Sequence, residues 1–280
     1  MAETLRRVLS GGNAAGTGED TTAESGPPVL LLGAQGSGKT SLMFATALEA
    51  AGEGCGPVLF LTRRPLQRLP RSTRAAREPL RLQKVRFQYP PSTLELLQLL
   101  ASTHEVPGPA PCLLLLDGLE EYLAEDPGTQ EAAYLAALLL DTAAYFSHRL
   151  GSNRSCGLMV ALETQVEADG ADAPQLTLLQ RYFPAKCWLQ PEAPGLGQQG
   201  CFRACLELGT PGPRAEWTFK FFPDGEMKIT PWPTQPTSPS PDKKSSSAGG
   251  QSLTSVCDNV SGQFPGPGTA GQVHMQRPKE

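Results

Sequence analysis

Residues 33–40 place the strongest constraint on what this chain can fold into. They read Gly-Ala-Gln-Gly-Ser-Gly-Lys-Thr, which matches the phosphate-binding P-loop pattern G-x-x-x-x-G-K-[ST]. An apolar run, Val29–Leu32, precedes the loop, and residues 41–51 after it have helical spacing. A strand, a glycine loop and a helix in this order predict a P-loop NTPase of the α/β class rather than a flexible Gly/Ser segment.

The pattern also predicts the ligands of this loop. Backbone N–H groups of a P-loop surround the nucleotide phosphates, its lysine reaches the β and γ phosphates, and its last hydroxyl holds Mg²⁺. We therefore expect ATP and Mg²⁺ as cofactors, Thr40 as a metal ligand and Lys39 as a catalytic residue. The predicted nucleotide-binding residues are Gly33, Ala34, Gln35, Gly36, Ser37, Gly38, Lys39 and Thr40.

Composition divides the 280 residues into three segments. Residues 1–26 are rich in Gly, Thr, Ala and Glu, and residues 233–280 are rich in Pro, Ser and Gly, so we predict disorder in both. Residues 27–232 remain as one α/β ATPase domain. The sequence has no run of 18 apolar residues and no secretory signal, so no membrane association is expected. Seven scattered cysteines without a C-x-x-C pair indicate reduced thiols, as in the cytosol or nucleus.

The order of elements predicts the sheet. Up to residue 162, apolar strands alternate with helical segments, which is typical of a parallel sheet with helices on both faces. The pattern then changes to strands joined by short turns, over residues 186–190, 201–208, 215–222 and 226–229. We therefore expect a mostly parallel core that ends in antiparallel strands.

A second nucleotide motif is predicted at Leu113–Asp117, four leucines that end in an aspartate. In P-loop ATPases such an aspartate helps to hold Mg²⁺ from the tip of a strand beside the P-loop strand. A buried strand followed by an Asp-Gly turn is the alternative. Glu120 and Glu121 follow, and either could orient the attacking water, although two glutamates at the start of an exposed helix are also typical of solvated charge. Glu120 is our candidate catalytic carboxylate.

An arginine-rich segment, residues 63–86, carries nine Arg or Lys and one Glu, a net charge of +8, whereas the whole chain carries −4. Such concentration in an acidic protein indicates a polyanionic ligand, and a solvated loop or a protein contact is the alternative. The predicted DNA-binding residues are Arg68, Arg71, Arg74, Arg77 and Arg81.

Together these features resemble the RecA-like recombinase ATPases. In that family a glutamine after the fifth strand senses the γ phosphate and opens a DNA-binding loop. Gln165 matches that position, with 166–175 as the loop, and Glu163 stands where a threonine is usual. The resemblance therefore implies a catalytic role for Gln165.

The segments 48–65, 86–93 and 113–123 are similar to mammalian recombinase paralogues that associate with a SWIM-type zinc-finger protein in a Shu-like complex. That resemblance spans about 27–235. It implies a nuclear ATPase of homologous recombination repair that binds single-strand DNA. Its expected partners are the SWIM-type protein, the recombinase and other recombinase paralogues.

One departure from the family concerns hydrolysis. RecA-like ATPases end their second strand with a glutamate that polarises water, but here the strand is followed by Arg63 and Arg64. An arginine stays protonated and is no base. We expect slow or partner-dependent hydrolysis, and a nucleotide-gated scaffold that binds ATP and barely cleaves it is the alternative function. A small P-loop kinase is a weaker alternative, because the second half offers no helical lid.

Overall fold

The computed structural model describes residues 2–9, 26–52, 56–67, 79–105, 107–123, 129–164, 174–191, 201–209, 212–222 and 227–232. These residues contain six α-helices, a 3₁₀ turn (Leu119–Tyr122) and nine strands. The helices are α1 (Ala2–Leu9), α2 (Lys39–Gly52), α3 (Pro79–Leu82), α4 (Thr93–Ala101), α5 (Thr129–Leu150) and α6 (Pro174–Tyr182). The strands are β1 (Val29–Gly33), β2 (Val58–Thr62), β3 (Val85–Gln88), β4 (Leu113–Asp117), β5 (Gly157–Glu163), β6 (Ala185–Pro191), β7 (Cys201–Leu208), β8 (Arg214–Phe221) and β9 (Met227–Pro231).

The nine described strands form one sheet in the order β3-β2-β4-β5-β1-β6-β7-β8-β9. The pairs from β3 to β6 are parallel, and the pairs from β6 to β9 are antiparallel. The predicted fold class, a mostly parallel sheet with antiparallel C-terminal strands, is confirmed. One expectation is wrong: the strand that carries Asp117 is not the neighbour of β1, because β5 lies between them.

The two halves of the sheet follow from two residue patterns. Strands such as β1 and β4 are apolar runs, fully buried except for Asp117, because helices cover both faces of a parallel sheet. Strands β7 and β8 instead alternate inward apolar with outward polar side chains. We call β1–β5 the N-terminal half of the sheet and β6–β9 the C-terminal half.

Buried apolar side chains form one cluster on each face of the sheet. Helices α1 and α2 cover one face together with the inner side of β7–β9. Helices α4, α5 and α6 cover the other face. The predicted arrangement of helices on both faces is therefore confirmed. None of the described helices is long and apolar enough to cross a membrane.

Helix α1 corrects the prediction of disorder for 1–26. Leu5, Val8 and Leu9 have an exposed fraction of 7 % or less, and the helix packs against α2 and β9. Their i, i+3, i+4 spacing makes an apolar face, but a helix of eight residues is too short to be stable without tertiary cover. The prediction is wrong for residues 2–9, whereas 10–25 and the predicted disordered tail 233–280 lie outside the described residues.

Candidate nucleotide-binding site

The P-loop joins the end of β1 to the start of α2, at the edge of the sheet where the parallel strands end. Gly36 and Gly38 have φ angles of 74° and 88°, in the left-handed region that glycine adopts without strain. A Cβ at Gly38 would also overlap the ring of Phe221. The chain therefore needs glycine here both for the turn and for the close approach of the Phe221 side chain at the end of β8.

Lys39 is buried in the first turn of α2. Its Nζ donates hydrogen bonds to the backbone oxygens of Gly33, at 2.7 Å, and Ala34, at 2.9 Å. Burial lowers the pKa of Lys39, and the carboxylates of Glu120, Glu163 and Asp117 oppose this shift. The Lys39 ammonium, held at the mouth of the loop, is suited to binding phosphate oxygens by charge-assisted hydrogen bonds.

Thr40 and Asp117 connect the P-loop to β4. The Thr40 hydroxyl donates a hydrogen bond of 2.6 Å to Oδ2 of Asp117. Burial raises the pKa of Asp117, and this hydrogen bond together with the charge of Lys39 opposes the shift. Thr40 lies in the first turn of α2, after β1, and Asp117 ends β4, so the structure brings them together although β5 separates the two strands.

These residues fit the cofactors that the sequence predicts. A hydroxyl and a carboxylate are the hard oxygen ligands that Mg²⁺ takes, usually one or two from the protein with the rest from phosphates and water. The buried hydroxyl of Ser37, inside the loop, has no hydrogen-bond partner, and a buried hydroxyl without a partner is costly unless a ligand completes it.

Glu120 reaches the same site from the 3₁₀ turn after β4. Gly118 has a φ of 79° and lets the chain turn, and the buried side chains of Leu119 and Tyr122 fix the turn against the core. The Tyr122 hydroxyl donates to the backbone oxygen of Pro90 at 2.9 Å. As a result Glu120, rather than the neighbouring Glu121, is the carboxylate of this turn whose charge acts on Lys39.

Glu163 is a site residue that sequence reasoning did not select. Its backbone N–H donates a 2.8 Å hydrogen bond to Oε2 of Glu120, and its Cα is the register partner of Gly33. Burial raises the pKa of Glu120, a shift that this hydrogen bond opposes. The available signal was its position at the end of the fifth strand, where the family pattern has another residue type.

The end of β2 carries guanidinium groups in contact with the same turn. Arg63 donates to the backbone oxygens of Pro91, at 2.9 Å, and Glu121, at 2.6 Å. Arg64 lies 3.5 Å from the Glu121 carboxylate. Arg63 and Arg64 therefore both contact the turn that carries Glu120 and Glu121.

The predicted DNA-binding and sensor residues are described only in part. Gln165, Arg68, Arg71, Arg74 and Arg77 lie outside the described residues, as do positions 166–173 of the predicted loop, whereas residues 174 and 175 begin α6. Arg81 is partly buried at the C-terminal end of α2, where it contacts Gly52 and forms an ion pair of 3.3 Å with Glu49. Lys84 donates to the backbone oxygen of Ala51 at 3.0 Å. These two cations of the arginine-rich segment therefore cap the P-loop helix.

No protein-family model matches the chain. The chain is 70 % identical over 269 residues to "ATPase SWSAP1" of Mus musculus, which covers 96 % of this chain and 94 % of that protein. It is 71 % identical over 225 residues to "ATPase SWSAP1" of Homo sapiens, covering 80 % and 98 %. Among solved structures, the RadB recombinase aligns with a TM-score of 0.50 at 18 % identity, over 72 % of this chain and 90 % of that one, which indicates a shared RecA-like fold.

Proposed function

The chain belongs to the family of SWSAP1 ATPases, and from this premise we propose that it is a slowly hydrolysing recombinase paralogue. It binds ATP with Mg²⁺, binds single-strand DNA and supports homologous recombination repair. It works in the nucleus with a SWIM-type zinc-finger partner, alongside the recombinase and other recombinase paralogues.

One observation carries the nucleotide part of this proposal. The 2.6 Å hydrogen bond between Thr40 and Asp117 joins the P-loop to the end of β4, directly beside the buried ammonium of Lys39. Thr40 and Asp117 would hold Mg²⁺, which when bound supplies charge neutralisation to the β and γ phosphates. The loop N–H groups bind the phosphates, and Lys39 offsets the charge that develops on them.

Glu120 is the proposed water-orienting residue. Its carboxylate is fixed by the backbone N–H of Glu163, so its position depends on the end of β5. A carboxylate with a pKa raised by burial is a better proton acceptor than one in water. Slow turnover is expected because a single carboxylate on a turn replaces the strand-end glutamate of the family, at a point where Arg63 and Arg64 add positive charge.

The DNA part of the proposal is supported by charge. The arginine-rich segment has a net charge of +8 in a chain of net charge −4, and a phosphate backbone is the polyanion that such a segment binds best. Arg68, Arg71, Arg74 and Arg77 are its proposed contacts. Because Arg81 is ion-paired with Glu49, we expect it to contribute less. Gln165 is proposed to link the γ phosphate to the DNA-binding loop.

The test of the proposed function is ATP turnover by the purified protein, alone and with the zinc-finger partner, with and without single-strand DNA. We expect a Lys39-dependent rate below about 1 s⁻¹ for the protein alone, a low value for an enzyme, and a higher rate in the complete mixture. A rate above this without partner or DNA would contradict the proposed dependence.

The DNA site is tested separately. The triple substitution Arg71→Ala, Arg74→Ala and Arg77→Ala should weaken single-strand DNA binding and reduce the slope of log affinity against log salt by about two, since each phosphate contact on a single strand contributes about 0.7. The matched control is the triple substitution Arg203→Ala, Arg214→Ala and Lys220→Ala, all on the C-terminal half of the sheet. An unchanged affinity and salt slope would remove the segment from the DNA site.

A nucleotide-gated scaffold is the second candidate, and the arginines at the end of β2 favour it. Arg63 and Arg64 are committed to the turn that carries Glu120, so ATP could order this turn for a partner without being cleaved. Co-purification of the partner separates the two functions. If the wild-type protein binds its partner only in the presence of ATP and its turnover is no higher than that of Lys39→Ala, the scaffold is the better description.

A further inference from the structure

The 3₁₀ turn that carries Glu120 is held on one side by the end of β5. The backbone N–H of Glu163 donates a 2.8 Å hydrogen bond to Oε2 of Glu120. In the sheet β5 lies on one side of β4, and β2 and β3 lie on the other. A carboxylate that orients water has to be fixed from both sides, because a misplacement of about 1 Å can cost about 100-fold in rate.

On the other side, two hydrogen bonds join the turn to the chain between β3 and α4. The Tyr122 hydroxyl donates to the backbone oxygen of Pro90 at 2.9 Å. The hydroxyl of Thr93, the first residue of α4, donates to the backbone oxygen of Tyr122 at 2.7 Å. Both bonds act on Tyr122, which ends the turn and lies two residues beyond Glu120.

Arg63, the first residue after β2, reaches the middle of the turn. Its Nη1 donates to the backbone oxygen of Glu121 at 2.6 Å, and its Nε donates to the backbone oxygen of Pro91 at 2.9 Å. One guanidinium therefore joins the segments that follow β2, β3 and β4. Arg64 differs: its side chain is 82 % exposed and pairs with the carboxylate of Glu121 and not with the backbone of the turn.

A guanidinium is suited to this bridge. Its N–H groups point in fixed directions in one plane, so two of them can hold two carbonyl oxygens at the same time. An ammonium is a point charge on a flexible chain and does not fix both. The Arg63 bridge therefore fixes the turn relative to the chain before α4, and with it the backbone from which the Glu120 side chain extends.

We propose that Arg63 is a positioning residue for ATP hydrolysis and that it acts through Glu120. It holds the 3₁₀ turn from the side of β2 and β3, while the N–H of Glu163 holds the Glu120 carboxylate from the side of β5. The inference rests on the proposed function, since Arg63 has this role only if Glu120 orients the attacking water. The end of β2 then contributes to hydrolysis by geometry, although arginines and no carboxylate follow the strand.

The test separates the rate of hydrolysis from the affinity for ATP. Single-turnover phosphate release by the full-length protein with saturating ATP and Mg²⁺ gives the rate, and calorimetry with a non-hydrolysable ATP analogue gives the affinity. Arg63→Ala should lower the rate about tenfold, less than a full misplacement of the carboxylate would, because the two bonds at Tyr122 remain. The affinity should stay within about twofold, because the P-loop is unchanged.

A double substitution shows whether Arg63 acts through Glu120. In a Glu120→Gln background, Arg63→Ala should lower the rate by less than about a further twofold, because residues that act as a unit are not additive. Arg149→Ala is the matched control. Arg149 is also exposed and donates to a backbone oxygen, that of Gly108, at 2.8 Å, so its loss removes the same kind of bond elsewhere and should change neither rate nor affinity.

Arg63→Lys keeps the test decisive if Arg63→Ala folds poorly, which circular dichroism checks. It retains the charge but cannot fix both carbonyls, so it should lower the rate about threefold or more. A wild-type rate in Arg63→Lys or Arg63→Ala would overturn the proposal. Equal losses of rate and affinity, or a further tenfold loss when Arg63→Ala is added to Glu120→Gln, would overturn it as well. If Glu120→Gln alone keeps the wild-type rate, the proposed role of Glu120 fails instead.

Discussion

The N-terminal and C-terminal halves of the sheet meet at the P-loop and differ in what they bring to it. From the N-terminal half come Lys39, Thr40, Asp117 and Glu120, all charged or polar and all placed at or after the ends of strands that are otherwise apolar. The C-terminal half reaches the loop through the ring of Phe221. Four of its described charges form cross-strand ion pairs, Arg203–Glu216 and Arg214–Glu207.

The difference follows from the two kinds of sheet. Parallel strands end together at one edge, so side chains that follow them converge and can share one charged ligand. Antiparallel strands alternate direction, so their polar side chains are spread over the open face and pair with their cross-strand neighbours. We infer that phosphate chemistry belongs to the first half and that the second half supplies packing.

The largest expected difference in ATP turnover is between variants of two buried lysines, one in each half of the sheet. Lys39→Ala should lower kcat/KM for ATP about 1,000-fold, because it removes the charge that stabilises the phosphates as they react. Lys186→Ala removes an equally buried ammonium from β6, which is bonded to Gln180, and should change kcat/KM less than about twofold. Comparable losses in both variants would break the division between the halves.

Within the N-terminal half, the two glutamates of the 3₁₀ turn are expected to differ in their contribution to kcat. Glu120→Gln should lower kcat about 100-fold and leave ATP affinity nearly unchanged, since loss of a general base typically costs this factor. Glu121→Gln should change kcat less than about threefold, because its carboxylate pairs with Arg64 and is not among the charges that act on Lys39. Single-turnover phosphate release measures both. A larger loss in Glu121→Gln would reassign the catalytic carboxylate.

Asp117→Asn should show by how much the buried carboxylate lowers the free energy of unfolding. Burial raises its pKa, so the folded state binds this proton more tightly than the unfolded chain does. The carboxylate therefore lowers the free energy of unfolding as pH rises from about 4, the ordinary value for Asp, through the raised pKa. Without ligand, Asp117→Asn should gain stability relative to wild type over that interval.

Urea unfolding at several pH values measures this difference. The same variant should lose about tenfold in Mg²⁺-dependent affinity for ATP, because an amide is a weaker magnesium ligand than a carboxylate. If the stability difference between Asp117→Asn and wild type stays constant with pH, the carboxylate does not titrate as burial predicts.

The smallest effect is expected in the C-terminal half. Glu216→Ala removes the partner of Arg203, a pair in which both side chains are about one-third exposed. Pairs of this kind contribute about 0.2–1 kcal/mol to stability. We expect a loss in that range by urea unfolding and no change in ATP affinity. A changed affinity would show that the outer face of the sheet communicates with the site.

Where the signal was local, the sequence predicted which residues the structure brings together at the candidate site. The P-loop is a contiguous motif, and Asp117 follows a run of four leucines that is typical of a buried strand. Glu120 and Glu121 could not be separated, because their roles depend on the positive φ of Gly118 and on which neighbours of the turn are buried. Phe221 gave no signal, since its approach to Gly38 depends on the register of four strands.

Two features of the fold could also not be predicted from local sequence patterns. Helix α1 is too short to be predicted from its own apolar face and is stabilised by α2 and β9. Strand β5 lies between β1 and β4. Apolar runs show where strands occur along the chain, but they do not determine the order of the strands in the sheet.

Phosphate release from ATP by the purified protein alone, with Lys39→Ala measured in parallel, tests the central claim most directly. The account predicts slow release, below about 1 s⁻¹, that the substitution abolishes. Release that continues unchanged in Lys39→Ala would show that the P-loop does not carry the reaction.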